Sequence, residues 1–392
     1  MSFTVLIAPS GFKESLGVKD VVEAIAAGAR LAMPGAHILR APVVDGGEGF
    51  TEILVESTGG TLRRLNVTGP VGETVPAFVG FLGGNNARTA VIEIAAAAGL
   101  RLVPRDRRDP TRTTSFGVGE LIRASLDAGA ERILIGCGDS GTNDGGAGMA
   151  QALGVRLLDN QGADLERGGA ELCRLASIDC TGLDPRIRHT PIDVAVSWHN
   201  VLLGARGVSR MFGPQKGATA RQVEVLESGL ETFAKRIFEI TGHCIGHHPG
   251  SGASGGLGAG LAALLGAKLH PRYDVVMQYL NFETLLKQAD LVITAEGGLD
   301  GDSRYGKVPC EVARRAKQRG IPVIALAGTI GKGATNTLED GIDAFASIID
   351  HPCTLDEAIG NAAKLLERAT ANALRMVSVG IQMNIRTKIG LP

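Results

Sequence analysis

The chain has 392 residues, of which 44% are hydrophobic and only 4% aromatic, with 55 glycines and a formal net charge of −1. This length and apolar content suit two domains with buried cores, and few aromatics with many glycines are typical of α/β proteins with tight turns. The mixed charges exclude a basic nucleic-acid-binding face, no 18-residue apolar run predicts a membrane span, and the N-terminus lacks the basic segment of a signal peptide, so we expect a cytoplasmic protein without nucleic-acid or membrane partners.

Short β-branched runs alternate with helical patterns along most of the chain. The predicted strands are Thr4–Ala8, His37–Ala41, Arg132–Ile135, Asp193–Val196, Leu291–Thr294, Val323–Ala327 and Ala344–Ile349. The predicted helices are Val18–Ala32, Phe50–Ser57, Gly119–Ala128, Met149–Leu153, Gln222–Ile240, Gly256–Leu265, Phe282–Gln288, Lys307–Arg319 and Leu355–Val377, the last opening on a capping box from Thr354 to Glu357. This alternation predicts a mostly parallel, doubly wound sheet.

Residues 66–104 break this pattern. The segments Thr74–Phe81 and Thr89–Ile94, separated by turn residues, indicate antiparallel hairpins and therefore a second sheet. We expect an inserted α/β domain over residues 66–274, with residues 1–65 and 275–392 forming one discontinuous parallel-sheet domain.

The glycine-rich segment 136–148 follows a predicted strand and leads into a predicted helix. Such a turn directs several backbone N–H groups to one concave face, where the helix dipole adds partial positive charge, so it predicts an anion site, most often for phosphate. The residues expected to bind a nucleotide cofactor there are Gly138, Ser140, Gly141, Thr142, Asn143, Asp144 and Gly145.

The same segment leaves a dinucleotide alternative open. Residues 136–141 match GxGxxG, and Asp159 follows at about the spacing of a ribose-binding acid, which is typical of NAD(P)-dependent oxidoreductases. Residues 250–255 match the same pattern, so the match is weak evidence in a glycine-rich chain. No GxxxxGK[ST] motif is present, which disfavours a Walker-type NTPase.

Charged side chains in other loops supply what phosphoryl transfer needs: cations for the phosphates, carboxylates for Mg²⁺, and a group that orients the acceptor hydroxyl. We expect Glu296 and Asp300 to hold Mg²⁺ and Lys307 to bind the cofactor. The candidate catalytic residues are Lys13, Asp45, Lys216, Glu296 and Asp300. Each could instead be a helix cap, a turn residue or a solvated side chain.

Two further features have weaker interpretations. The segment from His243 to His248 has His and Cys at ligand-like spacing, but an exposed polar loop explains it better. The single tryptophan, Trp198, follows a predicted strand and either lines a pocket or packs between domains.

Six segments resemble the bacterial type I glycerate kinases, in order over nearly the whole chain. They are residues 8–16 (APSGFKESL), 45–49 (DGGEG), 67–70 (VTGP), 141–149 (GTNDGGAGM), 212–219 (FGPQKGAT) and 290–294 (DLVIT). The resemblance implies a flavodoxin-like domain carrying an inserted α/β domain with a mixed sheet, and an active site in the cleft between them. It also implies phosphorylation of D-glycerate by ATP and Mg²⁺, typically at the 2-hydroxyl, and we expect a homodimer.

Three positions depart from the family pattern. The family usually has Asp-Ser at Ser10-Gly11, Cys-Asp-Val at Val196-Ser-Trp198, and Arg at Gly298. Two carboxylates and a guanidinium are therefore missing from loops expected to face the substrate. Our hypothesis is that ATP use is kept while the choice of hydroxy acid has drifted; a paralogue that has lost catalysis is the alternative.

Overall fold

The structure, a computed structural model, describes residues 3–12, 15–86 and 88–389. The strands are β1 (Thr4–Ile7), β2 (His37–Arg40), β3 (Thr61–Thr68), β4 (Thr74–Phe81), β5 (Thr89–Glu93), β6 (Arg132–Gly136), β7 (Arg156–Leu158), β8 (Ser177–Asp179), β9 (Ile192–Val196), β10 (Lys268–Pro271), β11 (Leu291–Leu299), β12 (Val323–Ile330) and β13 (Ala344–Ser347).

The α-helices alternate with these strands. They are α1 (Val18–Ala32), α2 (Phe50–Thr58), α3 (Ala95–Ala98), α4 (Phe116–Asp127), α5 (Ala147–Ala152), α6 (Val208–Phe212), α7 (Ala220–Thr241), α8 (Ala253–Leu265), α9 (Arg272–Tyr279), α10 (Phe282–Leu286), α11 (Val308–Lys317), α12 (Leu355–Gly360) and α13 (Ala362–Ile389). None of the helices within the described ranges is long and apolar enough to span a bilayer.

The chain forms two compact units, one of which is discontinuous. Unit 1 comprises Met1–Val44 and Leu280–Pro392, and unit 2 comprises Asp45–Tyr279. The first boundary therefore falls before α2, whereas the sequence analysis placed it after residue 65. The physical reason is that α2 packs on strands of the second sheet: the side chains of Val55 and Thr51 lie against Gly80 of β4.

Unit 1 is built on a parallel sheet with the strand order β13-β12-β11-β1-β2. Counted along unit 1 alone, this is the 2-1-3-4-5 order of flavodoxin-like folds, which confirms the predicted fold class. The order reverses between β1 and β11, so that the chain leaves these neighbouring strands in opposite directions. In open α/β sheets such a switch point, at the carboxyl ends of the strands, is where ligands bind.

The core of unit 1 lies between this sheet and the packed pair α1 and α13. Helix α1 buries Val21, Ile25 and Ala29, at the spacing of one helical face. The two helices approach closely at Gly28, where a methyl group would overlap the carbonyl oxygen of Glu367. The capping box from Thr354 to Glu357 is confirmed, with each residue bonding the other's backbone N–H.

Unit 2 contains the mixed sheet that the sequence predicted, in the order β10-β9-β6-β5-β4-β3. Strands β10, β9, β6 and β5 are mutually parallel, while β4 and β3 form the predicted antiparallel edge. Helices α4 and α8 cover the sheet with buried side chains such as Leu121, Ile122 and Leu257. The carboxyl ends of the parallel strands all open on one edge, and the candidate site of unit 2 lies there.

Two predicted elements differ from the structure. The predicted helix Leu355–Val377 is divided at Asn361, whose backbone is not helical (φ −109°, ψ 6°). Strand β11 continues to Leu299 instead of ending at Thr294, because its second half pairs with the extension of β12, with Gly298 opposite Thr329. Glycines in Ala295–Leu299 concealed this extension, since glycine is depleted in strands.

Candidate functional site

The site of unit 2 centres on the loop after β6. Gly138 and Asp139 are partly exposed, Ser140 is buried but keeps 7% of its surface exposed, and Thr142, Asn143 and Asp144 are at most 1% exposed. The loop therefore offers a ligand only its first part. Among the seven loop residues expected to bind the cofactor, Gly138 and Ser140 are nearest this accessible edge.

The glycines of the loop serve close packing. A methyl group at Gly138 would overlap the backbone of Gly47, and one at Gly141 would press on Leu100 and Val103. Gly145 has a left-handed backbone (φ +65°), which disfavours any side chain there. The N–H of Gly141 donates to the carbonyl of Ala98 (2.8 Å) and that of Gly145 to Gly255 (3.0 Å), so these amides hold the loop in place.

The carboxylate of Asp144 is used inside the protein. It accepts hydrogen bonds from the N–H and hydroxyl of Ser115 (both 2.8 Å) and from the N–H groups of Gly146 (3.1 Å) and Gly148 (3.2 Å). These bonds cap the start of α5. We therefore assign Asp144 to positioning the loop.

Thr142 and Asn143 lie beneath the accessible edge. The Asn143 side chain donates to Ser209 Oγ (3.0 Å), while its Oδ1 is buried without a hydrogen-bond partner among the described residues. The carbonyl of Thr142 points to the side chain of Lys216. The structure thus brings these two residues to the site without exposing them.

Lys216 is the buried charge of this site. It ends a 3-10 helix, Pro214–Lys216, is 3% exposed, and places its ammonium 2.9 Å from Ser140 Oγ and 2.6 Å from the Thr142 carbonyl oxygen. Burial lowers the pKa of Lys216 to about 7, although the charge of Asp144 opposes the shift. Both partners are neutral oxygens, and no carboxylate of the described chain bonds to this ammonium.

The geometry fixes the direction of the Ser140 hydroxyl. When Lys216 is charged, its ammonium only donates, so Ser140 Oγ then accepts from Lys216 and keeps its own hydrogen for another acceptor. Within the described parts of the chain, nothing accepts that hydrogen. A donor left over at the accessible edge, above a buried cation, is the arrangement expected for an anionic ligand.

Asp45 lies in a second loop at the same edge, next to Asp139. The carboxylates of Asp45 and Asp139 both face the α-carbon of Gly47, where a methyl group would overlap Asp139 Oδ2 and lie 3.3 Å from Asp45 Oδ1. Arg272 places its guanidinium 3.5 Å from Asp45 Oδ2. Asp139 has a left-handed backbone (φ +48°), an uncommon conformation for a non-glycine residue.

Glu93 supports this second loop from below. It is 2% exposed at the end of β5 and accepts a hydrogen bond from the N–H of Thr51 (3.0 Å), in the first turn of α2. Burial raises the pKa of Glu93 to about 7, against the opposing backbone hydrogen bonds of Thr51 and Gly49. Glu93 thereby fixes the start of α2 directly after the Asp45 loop.

The predicted residues of unit 1 gather at the ends of β1 and β11, except Lys13, which lies outside the described residues. Ser10 follows β1, and its N–H donates to the carbonyl of Ala295 (2.9 Å) across the switch point. Glu296 is the next residue on β11. The expectation that Glu296 follows the strand is wrong, because β11 continues through it and pairs it with Ala327.

Asp300 and Lys307 form an ion pair. Lys307 Nζ lies 3.2 Å from both carboxylate oxygens of Asp300, which also accepts from Ser303 Oγ (3.0 Å) and the N–H of Asp302 (3.0 Å). Partial burial alone would raise the pKa of Asp300, but the bonds from Lys307 and Ser303 hold that pKa below its ordinary value. Asp300 therefore caps a 3-10 helix, Gly301–Tyr305.

These contacts disfavour joint binding of Mg²⁺ by Glu296 and Asp300. The two residues are four positions apart on extended backbone, which separates their α-carbons by about 13 Å, and the Asp300 oxygens are engaged. No group of three or more His, Cys, Asp or Glu side chains among the described residues could hold a metal ion, and the segment from His243 to His248 does not form one.

The dinucleotide alternative finds no support in this geometry. Asp159, its expected ribose ligand, accepts from the N–H groups of Gln161 (2.9 Å) and Ala163 (3.0 Å) and pairs with Arg174 (3.0 Å). Its carboxylate therefore closes a local turn.

Three residues at the site were not among the predicted ones: Asp139, Glu93 and Arg272. Asp139 lies inside the glycine-rich segment 136–148, so the sequence could have marked it as a candidate site residue. Glu93 lies in a predicted strand and Arg272 begins α9, a helix that was not predicted, and neither position carries a pattern that marks it.

The chain thus combines a flavodoxin-like unit with a second α/β unit that holds a buried lysine beneath a glycine-rich loop. The sequence model of the glycerate kinase family matches residues 5–378, and the chain belongs to this family. It is 46% identical over 379 residues to the glycerate kinase of Bacillus subtilis (strain 168), covering 97% of this chain and 99% of the relative.

Two further relatives agree. The glycerate 2-kinase of Escherichia coli (strain K12) is 44% identical over 378 residues, covering 96% of this chain and 99% of the relative. A crystal structure of a glycerate kinase 2 from Salmonella typhimurium LT2 superposes with a TM-score of 0.82 at 45% identity, covering 97% of this chain and all of that one.

Proposed function

We propose that this enzyme transfers the γ-phosphoryl group of ATP to the 2-hydroxyl of D-glycerate, giving 2-phosphoglycerate and ADP. The observation that carries the proposal is the ammonium of Lys216, which is buried and bonded only to neutral oxygens. A buried cation without an anionic partner is costly, and a bound phosphate would supply the missing charge. Membership of the glycerate kinase family supplies the reaction and the substrates.

In this proposal the edge of unit 2 holds the phosphates of the nucleotide. Ser140 donates its free hydroxyl hydrogen to a phosphate oxygen, and Gly138 presents its partly exposed backbone to the phosphate. Lys216 lies beneath the loop and stabilises the phosphate by its charge. The remaining loop residues fix the conformation of the loop: Gly141, Thr142, Asn143, Asp144 and Gly145. Stabilisation of this kind is effective in phosphoryl transfer because the donors are in place before charge develops.

Mg²⁺ is the remaining cofactor of the proposal. Proteins usually bind it through one or two carboxylates together with substrate phosphates. Asp45 and Asp139 fit this requirement, since both carboxylates face the same point at Gly47. When bound, the ion would neutralise charge on the phosphates, and we assign it to this pair in place of Glu296 and Asp300.

The acceptor is assigned to unit 1. Glu296 stands at the switch point and is our candidate for orienting the acceptor hydroxyl, with Lys13 as its candidate cation. Lys307 holds Asp300 and so shapes the end of β11. Uncharged residues stand where the family usually carries charged ones, at Ser10, Ser197 and Gly298. Related C3–C5 hydroxy acids should therefore be tested as acceptors beside glycerate.

A homodimer and a cytoplasmic location complete the proposal. All six cysteines are free, which suits a reducing compartment. Light scattering of the purified protein and fractionation of cells measure the two properties directly.

The experiment is an ADP-release assay with D-glycerate, L-glycerate and a panel of C3–C5 hydroxy acids, with the product identified by ³¹P NMR. We expect turnover with D-glycerate and a phosphate at C2. Ser140→Ala should lower kcat/KM by about a hundredfold to a thousandfold, as loss of one charge-stabilising donor does. The matched control is Ser125→Ala, which removes a buried hydroxyl bonded to the Leu121 carbonyl and should leave kinetics unchanged. No ADP release with any acid would refute the proposal and favour a paralogue without catalysis.

A further inference from the structure

Trp198 is the only tryptophan of the chain, and it follows β9 at the same edge of the sheet as the loop after β6. Strands β6 and β9 are parallel neighbours in which Gly136 pairs with Ala195. Asp139 follows Gly136 by three residues, and Trp198 follows Ala195 by three. The register therefore places the residues that follow β9, including Trp198, and those that follow β6 at the same end of the sheet.

The Trp198 side chain is not part of a core. It is 36% exposed, an unusual position for the largest apolar side chain, and meets the ring of His248 edge-on, with centroids 6.3 Å apart at 74°. Because the indole is partly exposed and meets the His248 ring edge-on, a flat apolar face of Trp198 is available to a ligand.

His248 has a defined tautomer. Its Nδ1 lies 2.9 Å from the carbonyl oxygen of Pro249, and because a carbonyl only accepts, Nδ1 must carry the hydrogen. In the neutral ring Nε2 is then an acceptor, and nothing in the described parts of the chain donates to it. The pair thus combines a stacking face with one hydrogen-bond acceptor.

The backbone holds both rings in place. The N–H of His248 donates to Ile245 (3.3 Å), and the carbonyl of His248 accepts from Ser251 (3.0 Å). Gly250 packs so closely on Val196, the last residue of β9, that a methyl group there would lie 2.5 Å from its Cγ2. The segment carrying His248 is therefore fixed against the end of β9, two residues before Trp198, so little ordering of this segment is needed when a ligand binds.

We propose that Trp198 and His248 form the site for the purine base of the nucleotide, with the base stacked on the indole and its exocyclic amine donating to His248 Nε2. This rests on the proposed function for the identity of the nucleotide. Of the two substrates only the nucleotide has a flat π-face, since glycerate is small and polar. Stacking supplies affinity for any base, and the acceptor on His248 favours adenine over guanine, which carries a carbonyl oxygen at the corresponding position.

The single tryptophan makes the site directly measurable. Its intrinsic fluorescence should change on titration with adenosine or ADP and should not respond to tripolyphosphate or D-glycerate. Trp198→Ala should raise the KM for ATP roughly fivefold to a hundredfold, the range for loss of one base–aromatic stack, and leave the KM for D-glycerate unchanged. Trp198→Phe should restore part of the affinity, and His248→Ala should reduce the preference for ATP over GTP.

The control is Phe238→Ala, which removes another exposed aromatic side chain of unit 2. An unchanged KM for ATP in Trp198→Ala, or a fluorescence response to D-glycerate alone, would overturn the base site while turnover of the wild-type enzyme leaves the proposed function standing. Conversely, a wild-type enzyme that releases no ADP but shows the adenosine response would refute the proposed function and retain the base site.

Discussion

Lys216 gives the sharpest prediction, because the ligand is expected to change its protonation. Burial lowers the pKa of Lys216 from 10.5 to about 7. At about 1.4 kcal/mol per tenfold change in acidity, this shift means that the protein disfavours the charged form by about 5 kcal/mol. At pH 8 only about a tenth of free enzyme carries the ammonium, and a bound phosphate should restore it. When the phosphate binds, Lys216 should therefore take up nearly one proton at pH 8 and almost none at pH 5.5, where it is already charged.

The consequence is a pH-dependent affinity. If only the charged form binds, the apparent Kd for ADP rises about tenfold for each pH unit above about 7. Calorimetry in two buffers of different ionisation enthalpy measures both the Kd and the protons taken up. Lys216→Met, which keeps much of the side-chain volume and removes the charge, should bind ADP about tenfold to a thousandfold more weakly and take up about one proton fewer at pH 8.

The comparison with Lys216→Met separates this effect from protonation of ADP itself. A Kd that stays constant between pH 6 and 9, or a Lys216→Met variant with wild-type affinity and the same proton uptake, would refute the assignment of Lys216 to the phosphate site. A thermal melt of the variant checks that its fold is retained.

Two further predictions concern the second loop of the site. In Glu93→Gln the free energy of unfolding should lose a pH dependence. The folded wild-type protein keeps a proton on Glu93 that the unfolded chain releases between about pH 4.5 and 7, so wild-type stability falls over that window by about 3 kcal/mol more than that of the variant. If urea unfolding shows the same change in unfolding free energy between pH 5 and pH 8 for both proteins, the prediction is contradicted. Gly47→Ala should displace the Asp139 carboxylate and raise the KM for MgATP about tenfold, whereas the control Gly35→Ala, with no atom within 4 Å of the added methyl group, should not; an unchanged KM in Gly47→Ala would remove Asp139 from the metal site.

Much of the fold was predictable because it depends on periodic local patterns. Helix α1 was predicted with its exact bounds by its apolar face, and the antiparallel edge of the second sheet by its turns. Two features were not predictable in the same way. The extension of β11 depends on pairing with a strand more than twenty residues away, and the division at Asn361 interrupts a helix pattern that continues through it.

The candidate site was predicted at the level of its loops and less well at the level of side chains. The sequence located the loop after β6, but the exposure of its residues depends on packing: Gly138 is partly exposed, Ser140 keeps 7% of its surface exposed, and Asp144 turns inward to cap α5. The contact between Lys216 and Ser140 joins positions far apart in the chain, and only the fold shows that the lysine lies beneath the loop.

The central claim is that the triphosphate of ATP binds at Gly138 and Ser140 above the ammonium of Lys216. A crystal structure of the enzyme with Mg²⁺ and a non-hydrolysable ATP analogue tests it most directly. We predict a phosphate oxygen within about 3 Å of Ser140 Oγ, accepting the hydrogen that Lys216 leaves free. A triphosphate bound at another part of the protein, with Ser140 in contact only with water, would contradict the claim.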